Sequence, residues 1–222
     1  MILRRSELSE NLARVSARIE ASAKGANRNP DEITLIVVTK TFPASDVEIL
    51  YELGIRNFGE NRDQEASLKA PQLPADSIWH FQGQIQSNKL KSISNWADII
   101  HSVDQLSHAT KLNELGRNKD IFIQLALDQS ENRGGVEPAK LHELVDSISP
   151  LSNLNILGVM AVAPLGKDPG LAFKGLSEIS RKLSLDYPKI TAISAGMSND
   201  FEAAITNGAT HIRIGSQILG VR

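Results

Sequence analysis

Apolar residues in this chain follow two alternating rhythms, short unbroken runs and longer stretches with apolar positions three and four apart. The clearest run is Leu35-Ile36-Val37-Val38-Thr39-Lys40, β-branched residues that end abruptly on a lysine. Such a run suits a strand covered on both faces, as in a parallel sheet. It predicts a first strand over 33–40, closed by Thr41-Phe42-Pro43, because proline cannot continue a central ladder. Similar runs predict strands over 57–61, 78–83, 99–104, 121–127, 155–162, 190–196 and 211–219. Helical spacing falls between them, over 44–53, 104–115, 138–148, 171–185 and 199–207. Ser45 and Asp46 are the expected caps of helix 44–53. One more helix is predicted over 6–23, from Leu8, Leu12, Val15 and Ile19 on one face and the acids around Ser9 near its start.

Eight strand–helix repeats in 222 residues, with no long linker, predict the α/β class and a single (β/α)8 TIM barrel. An open doubly wound sheet fits the same pattern. With no internal repeat or composition break, the expectation is one domain over 1–222. Residues 1–30 form the extra N-terminal helix and its connection, packed on the bottom or side, and 31–222 the barrel.

Composition removes several classes. A net charge of −2 offers no field for nucleic acid or an anionic membrane, and two tryptophans with two tyrosines make a poor base-stacking surface. There are no cysteines, so disulfides and thiolate metal sites are out. No two histidines have ligand spacing, so no metal is expected. No apolar run has the length of a membrane span and the first residues carry no signal-like segment, which makes the cytoplasm the expected location. No exposed apolar seam is evident, and a monomer is expected.

Chemistry in a βα barrel gathers at the carboxyl ends of the strands. There the sequence places Lys40, Asn61, Gln82, His80, His101 and Asp104, then Met160, Gly196-Met197-Ser198-Asn199-Asp200 and Arg213-Ile214-Gly215-Ser216. A strand-end lysine in partly apolar surroundings is an amine nucleophile for aldehydes. Gly196-Met197-Ser198 feeding a helix start, with Gly215-Ser216 after the last strand, resembles an anion cradle in the position barrels use for phosphate. Arg213, flanked by Ile212 and Ile214, is a buried cation needing an acceptor if it faces the mouth. His80 and His101 read as hydrogen-bonded structural residues. No nucleophile elbow, P-loop or dinucleotide fingerprint is present. Ser130-Glu131-Asn132-Arg133-Gly134-Gly135, within the loop 128–136, reads as a polar connection, with a lid over the mouth as the alternative. An amine, a phosphate cradle and a fixed cation on one face suit pyridoxal 5′-phosphate (PLP), which has an aldehyde, a phosphate and a ring nitrogen.

Specific motifs carry a family resemblance. Val37-Val38-Thr39-Lys40, Phe58-Gly59-Glu60-Asn61-Arg62, Trp79-His80-Phe81-Gln82-Gly83, His101-Ser102-Val103-Asp104, Gly196-Met197-Ser198-Asn199-Asp200 and Arg213-Ile214-Gly215-Ser216 resemble, in order, the YggS/PROSC family of PLP homeostasis proteins. The resemblance implies a barrel like the N-terminal domain of alanine racemase with PLP held as a Schiff base on Lys40. It implies Ser198, Gly215 and Ser216 at the phosphate, Arg213 facing the pyridine nitrogen, Asn61 near the ring, and Met160 and Met197 close by. It further implies a non-catalytic carrier that buffers PLP or delivers it to PLP-dependent apoenzymes and so affects amino-acid and keto-acid balance.

The alternative is a PLP-dependent amino-acid racemase, which the expected absence of alanine racemase's second catalytic domain after Arg222 disfavours. A sugar-phosphate barrel enzyme with a Schiff-base lysine is a third reading. The chain departs from the family's common pattern at Ala195, at Arg133 and in 166–171, where an arginine is often found.

Overall fold

The computed structural model describes residues 2–128 and 134–221. Eight parallel strands close on themselves in sequence order, each pairing with the next and the last with the first. They are β1 (Thr34–Val38), β2 (Asn57–Glu60), β3 (Ile78–Phe81), β4 (Ile99–Val103), β5 (Lys119–Gln124), β6 (Leu154–Met160), β7 (Ala192–Met197) and β8 (His211–Ile214). The helices are α1 (Ile2–Gly25), α2 (Ala44–Glu52), α3 (Asp63–Lys69), α4 (Leu90–Trp96), α5 (Leu106–Glu114), α6 (Leu141–Ile148), α7 (Pro169–Asp186), α8 (Phe201–Thr206) and α9 (Ser216–Leu219). The closed barrel is the one expected from the pattern, and the open-sheet alternative falls away.

Period two along β8 explains how the layers divide. Ile212 and Ile214 face the helices, while His211 and Arg213 face inward. The inward assignment follows from ring contacts that only cross the interior: His211 on β8 lies 5.1 Å from Phe122 on β5 and 6.4 Å from His101 on β4. Barrel interiors are usually packed with branched apolar side chains; here part of that space is aromatic and polar. The larger apolar layer lies between sheet and helices, with Phe58, Trp79, Phe81 and Trp96 in edge and tilted contact. Gly158 is obligatory in that sheet, since a Cβ there would stand 1.7 Å from the Ala192 carbonyl oxygen across the β6–β7 pair.

Helix α1 lies against the side of the barrel, over the seam where β8 meets β1. Asn11 donates to the Ile218 carbonyl at 2.9 Å, and Arg4 to the Leu219 carbonyl at 2.9 Å. Arg18 reaches Glu202 and Gln217.

Several sequence expectations are corrected. The strand expected over 211–219 stops at Ile214, because Gly215 breaks the ladder and Ser216–Leu219 coils so that Ile218 and Leu219 are buried and their carbonyls meet α1. Ser45 and Asp46 do not cap α2: Pro43 stands at that position, and Asp46 is buried, accepting from Arg4 Nη2 at 2.7 Å. The first helix starts at Ile2, ahead of the expected residue 6. Helices α3, α4 and α9 were not expected.

Candidate functional site

A cavity of about 610 Å³ opens at the carboxyl ends of β1, β2, β6, β7 and β8. Lys40, Asn61, Met197, Ser198, Arg213, Gly215 and Ser216, the residues named from the sequence, all line it, with Met160 on the wall. Gln82, named from the sequence only as a strand-end residue, and Lys167, not named at all, line it too.

Lys40 is exposed, not set among apolar groups as expected, because β1 has already ended at Val38 and the chain is turning. Its backbone, in contrast, is held on both sides. Before it, Thr39 donates its N–H to the Gly59 carbonyl at 2.9 Å and its hydroxyl to Glu60 Oε1 at 2.7 Å. Lys69 Nζ donates to the Thr39 carbonyl at 2.9 Å and to Glu60 Oε1 at 2.7 Å. After it, Thr41 adopts φ 68° and donates its N–H to Glu65 Oε2 at 2.7 Å. A β-branched residue in the left-handed region is strained and persists only when its surroundings fix it. Glu60 is fully buried, and burial raises its pKa against the hydrogen bonds from Lys69 and Thr39.

Arg213 is only 5% exposed. Nη1 donates to Ser194 Oγ at 2.7 Å and Nη2 to the Ala161 carbonyl at 3.0 Å. Both acceptors are neutral, and among the described residues no carboxylate pairs with this guanidinium. Burial pulls its pKa down to about 10, with Asp200 pulling the other way.

The opposite wall is built from turns. Gly196, at φ 91°, admits no side chain: a Cβ would lie 2.7 Å from Ala204 Cβ and 2.9 Å from Phe201 Cα. Ser198 is buried and its carbonyl accepts from Gln217 Nε2. The following helix begins at Phe201, two residues later than expected, because Asp200 Oδ1 accepts the Met197 N–H at 2.6 Å and holds the turn open. Gly215 lets the backbone before α9 close on β1, where a Cβ would stand 3.0 Å from the Val38 carbonyl oxygen.

Two buried polar atoms on the residues lining this cavity have no partner among the described residues, Asn61 Oδ1 and Gln82 Nε2. One is an acceptor and the other a donor, and such orphans cost free energy until a ligand or water meets them. Both depend on neighbouring glycines. A Cβ at Gly59 would lie 2.7 Å from Gln82 Nε2, and one at Gly83 would lie 2.0 Å from the Asn61 carbonyl oxygen. Gln82 was legible as a strand-end residue, but its orphan donor shows only when β2 and β3 are set side by side.

Charge adds a further constraint. Among the described residues, Lys40, Lys167 and Arg213 line the cavity against one carboxylate, Asp200. An amine, a guanidinium, a serine hydroxyl beside a glycine turn, and an orphan donor–acceptor pair fit a small anionic aldehyde with ring heteroatoms; the residues therefore fit PLP. Of the departures, Ala195 is buried beneath the turn, and 166–171 contributes Lys167 to the cavity wall. Arg133 lies outside the described residues.

The model of the family described as alanine racemase, N-terminal domain, matches residues 8–222. A Corynebacterium glutamicum protein named pyridoxal phosphate homeostasis protein is 40% identical, covering 94% of this chain and 99% of its own. A Mycobacterium leprae protein of the same name is 38% identical, covering 98% and 93%. The structure of PipY from Synechococcus elongatus PCC7942, solved with PLP bound, superposes with a TM-score of 0.85 at 33% identity, covering 96% of this chain and all of that one. The chain thus belongs to the alanine racemase N-terminal domain family, among the pyridoxal phosphate homeostasis proteins.

Proposed function

We propose that this chain binds PLP in the cavity at the carboxyl ends of its strands and serves as a carrier in PLP homeostasis. The observation that carries this reading is the orphan pair Asn61 Oδ1 and Gln82 Nε2 on a cavity that also presents Lys40 and Arg213. The PLP seen in PipY and the names of the relatives support it. Lys40 takes the aldehyde as a Schiff base. Ser198, Gly215 and Ser216 hold the phosphate, Arg213 meets the ring nitrogen, and Asn61 and Met197 border the ring.

Bound PLP supplies an electron sink whose strength depends on a protonated ring nitrogen. A guanidinium facing that nitrogen disfavours its protonation, so this chain gives carbanion chemistry little help. Among the described residues the one carboxylate on the cavity, Asp200, is engaged in holding the Met197 turn. Both points favour a carrier over a racemase. We read the carrier as a cytoplasmic monomer that supplies PLP-dependent apoenzymes.

The test is a titration of the purified chain with PLP, followed by visible absorbance, beside a chiral assay of alanine and serine. A saturable new band without racemisation is expected. No band on addition of PLP overturns the reading, and turnover of either enantiomer replaces the carrier with the racemase.

A further inference from the structure

Arg213 is one end of a continuous hydrogen-bonded chain that crosses the barrel interior, and the direction of every proton in it follows from chemistry. Ser194, on β7, has two side-chain partners: Arg213 Nη1 at 2.7 Å and His101 Nδ1 at 2.8 Å. A guanidinium only donates. The serine oxygen therefore accepts from Arg213, and the hydroxyl proton is left with the lone pair of His101 Nδ1. Burial, reinforced by His80, Arg213 and His211, holds His101 well below the usual histidine value, so its ring is neutral and carries one N–H. That proton is on Nε2, 2.9 Å from His80 Nδ1. His80, pushed down to about 3 by burial, is also neutral, accepts at Nδ1 and carries its own proton on Nε2. The chain then ends 2.9 Å away on Asn57 Oδ1, an acceptor.

Every proton in this series finds an acceptor. The reverse order would put an N–H on His101 Nδ1 facing Ser194, and the serine proton would then have no acceptor among the described residues. A hydroxyl that gives its proton to an imidazole is also a better acceptor for the next donor. Ser194 and the Ala161 carbonyl thus fix the guanidinium plane at two points.

We infer that Ser194, His101 and His80 are positioning residues for Arg213, a neutral relay ending at Asn57 that aims the guanidinium into the ligand cavity without neutralising it. A carboxylate in the place of Ser194 would aim it equally well but pair off its charge. Only the identity of the ligand in front of Arg213 rests on the proposed function; the relay is a property of the chain itself.

Nuclear magnetic resonance of the full chain labelled with ¹⁵N at histidine and arginine, at neutral pH and without PLP, tests it. His80 and His101 are expected with Nε2 protonated and Nδ1 bare, and Arg213 with hindered guanidinium rotation. Ser194→Ala should free that rotation and weaken PLP binding about tenfold, the scale of one hydrogen bond to a charged group. Ser194→Thr, which keeps the hydroxyl, should restore both. Asn57→Leu, at the far end and clear of the cavity, should mix the His80 tautomers and serves if Ser194→Ala does not fold. A proton on His101 Nδ1, an imidazolium there, or an Arg213 equally ordered without the Ser194 hydroxyl overturns the inference. Wild-type chain that shows the tautomers but binds no PLP overturns the proposed function and leaves the relay standing.

Discussion

Lys69 Nζ stands 2.7 Å from Glu60 Oε1, an ion pair buried beside the strand end that presents Lys40. The same ammonium holds the Thr39 carbonyl, one residue before Lys40, while Glu65 holds the Thr41 N–H, one residue after. Burial makes the pair consequential: the attraction between the charges is bought with their desolvation, and losing one partner leaves the other uncompensated.

Lys69→Met should therefore destabilise the fold by about 3 kcal/mol, the scale for breaking a buried pair. It should also slow reaction of Lys40 with PLP, since the Thr39 carbonyl loses its anchor. Equilibrium unfolding in urea and the rate of growth of the PLP absorbance band check the two parts. An unchanged unfolding midpoint would show that the pair contributes nothing net.

Gly83→Ala should disturb the site through the backbone. The added methyl would meet the Asn61 carbonyl oxygen at 2.0 Å, and neither strand end can give way without moving Asn61. A loss of about 3 kcal/mol, at the upper end for overpacking, is expected together with weaker PLP binding. Gly175→Ala, on α7 with nothing within 4 Å of the new methyl, is the control and should be neutral or slightly stabilising.

Acid should unfold this protein earlier than its carboxylates alone would predict. His80 is depressed from 6.5 to about 3 and His211 to about 4, both mainly by burial, and His101 lies well below 6.5. The unfolded chain takes up these protons first. The stability of the neutral rings is thus complete above pH 6.5 and is lost as pH falls from there toward the folded values. Each ring adds a slope of up to about 1.4 kcal/mol per pH unit. Urea unfolding at pH 7.5, 6 and 5 measures it; a stability that stays flat over that interval contradicts neutral, buried imidazoles.

Arg213→Gln should bind PLP at least about tenfold more weakly, because the guanidinium makes a charge-assisted contact that an amide replaces poorly. The substitution removes a buried charge that has no carboxylate partner among the described residues, so the fold should hold. Fluorescence titration with PLP and a circular dichroism melt separate the two effects; equal affinity would remove Arg213 from the ring.

The parts of this site that were legible in the sequence are those fixed by the strand period. Lys40 follows an unbroken apolar run, Arg213 interrupts another, and the Gly196-Met197-Ser198 turn is marked by its composition, so all three fall at strand ends without knowledge of the neighbours. What was hidden depends on pairing between distant segments. Asp46 looked like a cap until Arg4 of α1 claimed it. The charged stretch 63–69 gave no clean helical face because Lys69, which reads as a solvent residue, turns inward to Glu60. The run after Ile214 read as strand since Ile218 and Leu219 are apolar, and only the Gly215 turn and the contacts of α1 make it a helix. Ser194 carries no local signal at all; its role arises from two partners on β4 and β8.

Reduction with borohydride of the full chain incubated with PLP, followed by peptide mass mapping, tests the central claim most directly. The account predicts one modified peptide, carrying the reduced pyridoxyl group on Lys40, and no modification of that peptide's counterpart in Lys40→Ala. Labelling spread over the exposed lysines, or concentrated on Lys167 with Lys40 untouched, would contradict it.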